Sequence, residues 1–399
     1  MRYLLALGLA LAACGDDGGD APPASEHPSR LRVRVAVADA NAPEVVVYDV
    51  ADREVVGRVA LERPAASLVA SYTGETAIVV QPEAVARVLS GGVSVIPHKD
   101  HIHIFKSAAQ LLGPPLAPPP EAEATGAAPL FGDAKWSIVY RGPTGAVATF
   151  AEDPWLQAKT DVARAASGAA RSVAVAHAGA ILAGGASGVD LVAPDASPSS
   201  LSSCPEVELA ASNGSAATFT CRDGFVVVGA DRVAGAVIPF PDAPARKGLA
   251  GLHRQALMLA LGAPAKLTIV DTDARAAFAI DAEPDLCDAT LEIGSGPYAT
   301  VLTASGAVVR YDVAARRRLT STPVTAPFDC DAPVRPSLAA TPGRAWVSSP
   351  ATGELVEVDT IAGREARRIA LGGAPRAVAV LGLDARNADL GTANDDLSE

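Results

Sequence analysis

The strongest constraint on the fold is repetition. Short β-branched and apolar runs recur along the chain and often end in aspartate ahead of a turn: residues 45–49, 101–105, 145–150, 188–192, 235–240, 267–271, 306–312 and 354–359. Asp312 follows Asp271 by 41 residues, and Asp359 follows Asp312 by 47. A period of roughly 40 to 50 residues holding several short strands predicts an all-β chain, a β-propeller whose units are small radial sheets. Eight markers favour eight blades; the steps are uneven enough to fit seven, and two packed sandwiches are the competing architecture. The last unit is clearest, with strands at 344–348, 354–359 and 364–371 and a fresh inner strand from Ala374 to Val380. Gly251 and Gly262 break any helix over 249–261, which reads as strand and loop. The proline-rich stretch 113–128 reads as a stiff exposed excursion.

The ends of the chain read differently. An apolar run over 4–13 leading to Leu11-Ala12-Ala13-Cys14 has the form of a lipoprotein signal, in which Cys14 becomes the lipidated first residue. Ten or so apolar residues are too few to span a bilayer as a mature helix. The expected organisation is a signal peptide over 1–13, a disordered tether over 14–29, a single propeller over 30–382 and a polar tail over 383–399. Gly15 after the cysteine points to the outer membrane in a Gram-negative host, with the folded part facing the periplasm.

With Cys14 set aside, Cys204, Cys221, Cys287 and Cys330 remain. An oxidising compartment favours two disulfides, most simply Cys204–Cys221 and Cys287–Cys330. Four cysteines allow three pairings, and zinc ligation competes, although none of the four forms a Cys-x-x-Cys unit. The net charge of −12, from 45 acidic and 33 basic residues, argues against a nucleic-acid partner, since phosphate neutralisation needs a concentrated basic surface.

Three of the six histidines lie in His98-Lys99-Asp100-His101-Ile102-His103. Side chains two apart on a strand face the same way, so His101 and His103 project together. Two neutral imidazoles supply half of a tetrahedral zinc site, and they also suit copper or nickel. Asp100 could close the shell or orient a ligand from outside it, and His98 joins only if the chain bends after Pro97. His177, at the glycine-terminated end of a strand, is a further candidate, against its ordinary role as a hydrogen-bonded core histidine.

These residues carry a resemblance. The segment from Gly91-Gly92-Val93 to His103, the strand ending at His177, the units Cys204-Pro205-Glu206-Val207 and Cys221-Arg222-Asp223-Gly224, and the closing blade over 336–375 are similar to the periplasmic zinc metallochaperones of a bacterial zinc ABC transporter. The resemblance implies a β-propeller that holds Zn(II) and passes it to the transporter's solute-binding protein; the expected state of the chain is a monomer. It places the metal on His101 and His103, with His98 and Asp100 beside them and His177 across the channel. Where the family has a histidine-glycine pair this chain has Glu208-Leu209, so Glu208 is the expected carboxylate ligand in a divergent site. The family's histidine-rich N-terminal collector is reduced here to His27. An enzyme, a zinc hydrolase using Glu208 or Asp100 as base, is disfavoured because no His-Glu-x-x-His pattern is present. A non-catalytic scaffold that binds another envelope protein is the alternative.

Overall fold

A computed structural model of the protein describes residues 33–382, apart from 72–73, 83–84, 98–101, 117–128, 132–136, 142–145, 152–162, 167–172, 194–195, 245–246, 252–254, 263–264 and 293–296. The segments read as signal, tether and tail, over 1–29 and 383–399, lie outside the described residues, and Cys14 with them. Among the described residues, eight four-stranded antiparallel sheets follow one another along the chain, with one additional two-stranded hairpin. Seven of the sheets are simple meanders or nearly so. The first is closed by the C-terminus: Pro375–Leu381 pairs with Arg34–Asp39, which leads on to Glu44–Asp49 and Glu54–Ala60. A ring sealed by strands from both ends of the chain leaves no open sheet edge at the seam, the liability that radial architectures must manage. The fold is an all-β propeller.

The third strand of each sheet explains the sequence period. These strands include Glu44–Asp49, Lys266–Asp271, Ala307–Asp312 and Glu354–Asp359, whose interiors are buried. Sheets pack on both of their faces, so the strands read as continuous apolar runs, each buried valine contributing about 1.5 to 3 kcal/mol. The closing aspartate holds the turn to the outermost strand: Asp49, Asp271 and Asp359 each accept N–H groups two and three residues on. Asp312 accepts the N–H of Ala315. Four residues after each of these aspartates stands a residue in the left-handed region, namely Arg53, Arg275, Arg316 and Gly363. The Asx turn and that conformation reverse the chain together. Outermost strands such as Arg364–Ala370 alternate between exposed and half-buried positions, as a one-sided strand should.

Two markers turn out not to be third strands, and that is why the spacing looked uneven. The 101–105 run belongs to the hairpin of Val93–Pro97 with Ile102–Lys106, inserted between Ala86–Ser90 and Gln110–Leu116 of the second sheet. The 235–240 run holds only the two-residue outer strand Ile238–Pro239, and Gly224–Gly229 is the third strand of that sheet. The excursion read over 113–128 also needs correction. Gly113 to Leu116 complete an outermost strand, where Pro114 and Pro115 are tolerated because an edge strand has N–H groups facing solvent.

Both disulfides pair as the simplest reading had them. Cys204 and Cys221 have Cα atoms 5.3 Å apart, and Cys287 and Cys330 5.0 Å apart.

Candidate functional site

The innermost strands all run from one rim of the channel to the other. They include Pro375–Leu381, Ser67–Ala70, Val173–His177, Ala210–Ser212, Lys247–Gly251, Leu286–Leu291 and Leu338–Thr341. The rim where they end is stitched by polar bonds between successive sheets. The Gly382 N–H donates to the Gly74 carbonyl, Asn213 Nδ2 donates to the Gln255 carbonyl and to Thr272 Oγ1, and Gln255 Nε2 donates to the Glu292 carbonyl. The Glu292 carboxylate is buried and accepts from Thr300, from the Gly343 N–H and, through two bonds of 2.8 Å, from Arg310. Tyr298 lies against the face of that guanidinium, 3.9 Å away.

His177 occupies the matching place in its own sheet. It ends Val173–His177, is paired with Ala180 across a turn made by Ala178 and Gly179 in the left-handed region, and is fully buried. Its Nε2 lies 3.1 Å from the Gly229 carbonyl in the next sheet. A carbonyl only accepts, so Nε2 carries the proton and Nδ1 presents its lone pair. Nδ1 is buried and has no hydrogen-bond partner among the described residues. Such a histidine, held by a carbonyl on one nitrogen and bare on the other, has the arrangement typical of a metal ligand.

The histidine-bearing hairpin rises from the same rim. Ser90, which precedes it, pairs with Thr76, just beyond the end of Ser67–Ala70, and with Gln110. His103 sits opposite Ile96 in the hairpin. The side chain of His103, and His98, Asp100 and His101 entirely, lie outside the described residues. The base of the hairpin is held firmly. Arg34 Nη1 donates to the carbonyls of Gly91, Gly92 and Ser107, at 2.8, 3.1 and 2.6 Å. Arg34 Nε also pairs with Asp49 at 3.1 Å, and Lys106 reaches Asp49 at 2.9 Å and Asp52 at 2.7 Å. Gly92 has φ +67, and a Cβ there would meet the Ser107 carbonyl oxygen at 2.3 Å, so only glycine lets the two strands leave the sheet so close together. Burial alone would raise the Asp49 carboxyl, but the Asp52 N–H, Lys106 and Arg34 outweigh it and hold it below the ordinary carboxylate value.

Glu208 does not join this rim. The N–H of Val207 donates to the Gly185 carbonyl, and Leu209 is bonded to Thr220, so Glu208 lies with the starts of the inner strands. Val173, paired with Gly184, marks that end in the neighbouring sheet, four residues from His177 or about 13 Å along the strand. The side chain of Glu208 is exposed. The expected ligand set is therefore split: His177 and the hairpin share one rim, and Glu208 belongs to the other. Among the described residues no three histidine, cysteine or carboxylate side chains cluster as a metal site. Sequence reasoning also missed Arg34 and Lys106, whose contacts include partners 57 and 73 positions away.

No protein-family model matches the chain, and a comparison with curated proteins gave no match. Solved structures do match. AztD from Citrobacter koseri superposes with a TM-score of 0.76 at 20% identity, over 88% of this chain and 97% of that one. The apo form of the same protein gives 0.76 at 19% identity over the same shares. The dihydro-heme d1 dehydrogenase NirN, in complex with DHE, gives 0.58 at 13% identity, over 90% and 77%. At these identities the likeness is one of fold, and the chain shares its β-propeller architecture with AztD over nearly the whole length of that protein.

Proposed function

We propose that the protein is a non-catalytic zinc carrier of the cell envelope, tethered through Cys14, which holds Zn(II) at the histidine rim and hands it to the solute-binding protein of a zinc ABC transporter. The observation that carries this reading is His177: its Nδ1 lone pair is buried and unpartnered on the rim from which the histidine hairpin rises. The fold shared with AztD and the resemblance of the histidine segment support it. His101, His103 and His177 would supply three imidazoles, with Asp100 or His98 completing the shell or yielding to an acceptor's ligand. Glu208 has no part in it.

The chain's own residues account for holding and release. Arg34 and Lys106 fix the root of the hairpin, so its tip alone can exchange one ligand for another. The Gly229 carbonyl keeps the His177 proton on Nε2, away from the metal. Release follows from ligand exchange and is favoured by acid, because a protonated imidazole cannot bind metal.

The test is a competitive zinc titration of the purified protein against a chromophoric chelator. The double substitution His101→Ala and His103→Ala should weaken binding by at least about tenfold, since even the loss of a ligand's outer-shell partner costs about 10- to 100-fold. Unchanged affinity would leave the scaffold reading in place of the carrier.

A further inference from the structure

The rim where the inner strands begin holds a cavity of about 510 Å³, and an adjoining one of about 370 Å³ shares Asp288, Cys330, Asp331 and Arg335 with it. Its wall is drawn from several sheets. Arg376 is the second residue of Pro375–Leu381, Arg335 sits just ahead of Leu338–Thr341, and Asp288 lies on Leu286–Leu291. Both arginines are half-buried. Arg335 donates to the Pro336 carbonyl, while the Arg376 guanidinium makes no hydrogen bond or ion pair among the described residues.

Asp288 is committed to the wall. Oδ1 accepts the Ala289 N–H at 3.0 Å, and Oδ2 accepts the Leu338 N–H at 3.1 Å, which ties two sheets together. Withdrawal from solvent pushes its carboxyl up, against these bonds and the charge of Arg335. Arg376 is pulled down by its own burial and then by the like charge of Arg335, so the two guanidinium groups feel each other. Neighbouring cations partly withdrawn from water are costly unless counter-charge offsets them, and of the two carboxylates in the wall, Asp288 and Asp331, Asp288 is already engaged by backbone N–H groups. Planar guanidinium forks match the paired oxygens of a carboxylate or a phosphate.

We infer that this cavity is a binding site for a small oxyanion, a carboxylate or a phosphate group, clasped between Arg335 and Arg376. The Cys287–Cys330 disulfide lines the same wall and fastens the segment that carries Arg335. The site stands on the rim opposite the histidines and does not depend on the zinc reading.

The experiment is a calorimetric and thermal-shift titration of the purified protein with inorganic phosphate and, separately, with succinate, each against sodium chloride at the same ionic strength. Specific binding gives a heat that saturates with concentration and raises the melting temperature with the logarithm of anion concentration beyond what sodium chloride does at the same ionic strength, whereas screening gives no saturating heat and the same shift as sodium chloride. The wild-type protein should saturate with at least one of the two, and which one identifies the source of the oxyanion. Arg376→Gln should weaken that binding about tenfold or more, the loss of one charge-assisted pair. Arg335→Gln, made separately in a loop, should act in the same direction and covers the case in which Arg376→Gln impairs folding. No saturable response to either anion, or equal affinities in the wild type and both variants, would overturn the inference.

Discussion

The two rims of the propeller spend their polar groups in opposite ways. Where the inner strands end, Asn213, Gln255, Glu292 and Arg34 are bonded across sheet boundaries, and of the buried polar atoms left unpartnered there, which include Thr341 Oγ1 and Thr360 Oγ1, only His177 Nδ1 is an imidazole nitrogen. Where they begin, an open cavity leaves the Arg376 guanidinium unbonded among the described residues. Polar groups that knit a barrel together are satisfied by the barrel itself. Those left over mark where something from outside can bind, a lone pair suited to a cation on one rim and guanidinium forks suited to an anion on the other.

The sharpest way to break this contrast is to damage the knitted rim. Glu292→Ala strips a buried carboxylate from Arg310, Thr300 and the Gly343 N–H at once. Leaving a buried guanidinium without its partner typically costs about 3 to 5 kcal/mol. Urea unfolding should show that loss, while zinc and anion affinities measured on the folded fraction stay as they were.

Acid should act next, and more locally. The folded Asp49 carboxyl titrates below its unfolded value. Its contribution is therefore complete above the ordinary carboxylate pKa of about 3.9 and is lost as the pH falls through the lower, folded value. Hydrogen-exchange protection over residues 91–97 and 102–107, taken relative to the intrinsic exchange rate at each pH, should be high at pH 7 and 5 and fall below about pH 4, with the closing blade over 344–371 still protected. Arg34→Met should bring the same loosening at neutral pH; equal protection in that variant would mean that the clamp does not hold the hairpin.

Much of the fold was legible because its cause is local. The Asx turns at Asp49, Asp271, Asp312 and Asp359 are written within five residues each, and every one precedes a chain reversal in the structure. The inserted hairpin was misread as a blade strand because Ile102–Lys106 has the same apolar pattern as a third strand. Its separate status comes from Gly92 and Arg34, residues that no periodicity singles out. Glu208 was misplaced for a related reason. Alignment with a histidine position gives a place along the chain, but which rim that place occupies depends on strand direction and register, here reported by the Val207–Gly185 and Leu209–Thr220 bonds. The paired arginines were invisible for the same cause, being 41 residues apart in sequence and brought to one cavity by the packing of successive inner strands.

The division of the two rims is tested most directly by one comparison of zinc affinities, His177→Ala beside Glu208→Ala, each measured by chelator competition on protein shown to be folded. His177→Ala should weaken zinc binding by about ten- to a hundredfold, the range for loss of a ligand or its orienting partner, and Glu208→Ala should leave it unchanged. Loss of zinc on replacing Glu208, with His177→Ala behaving as wild type, would contradict the account.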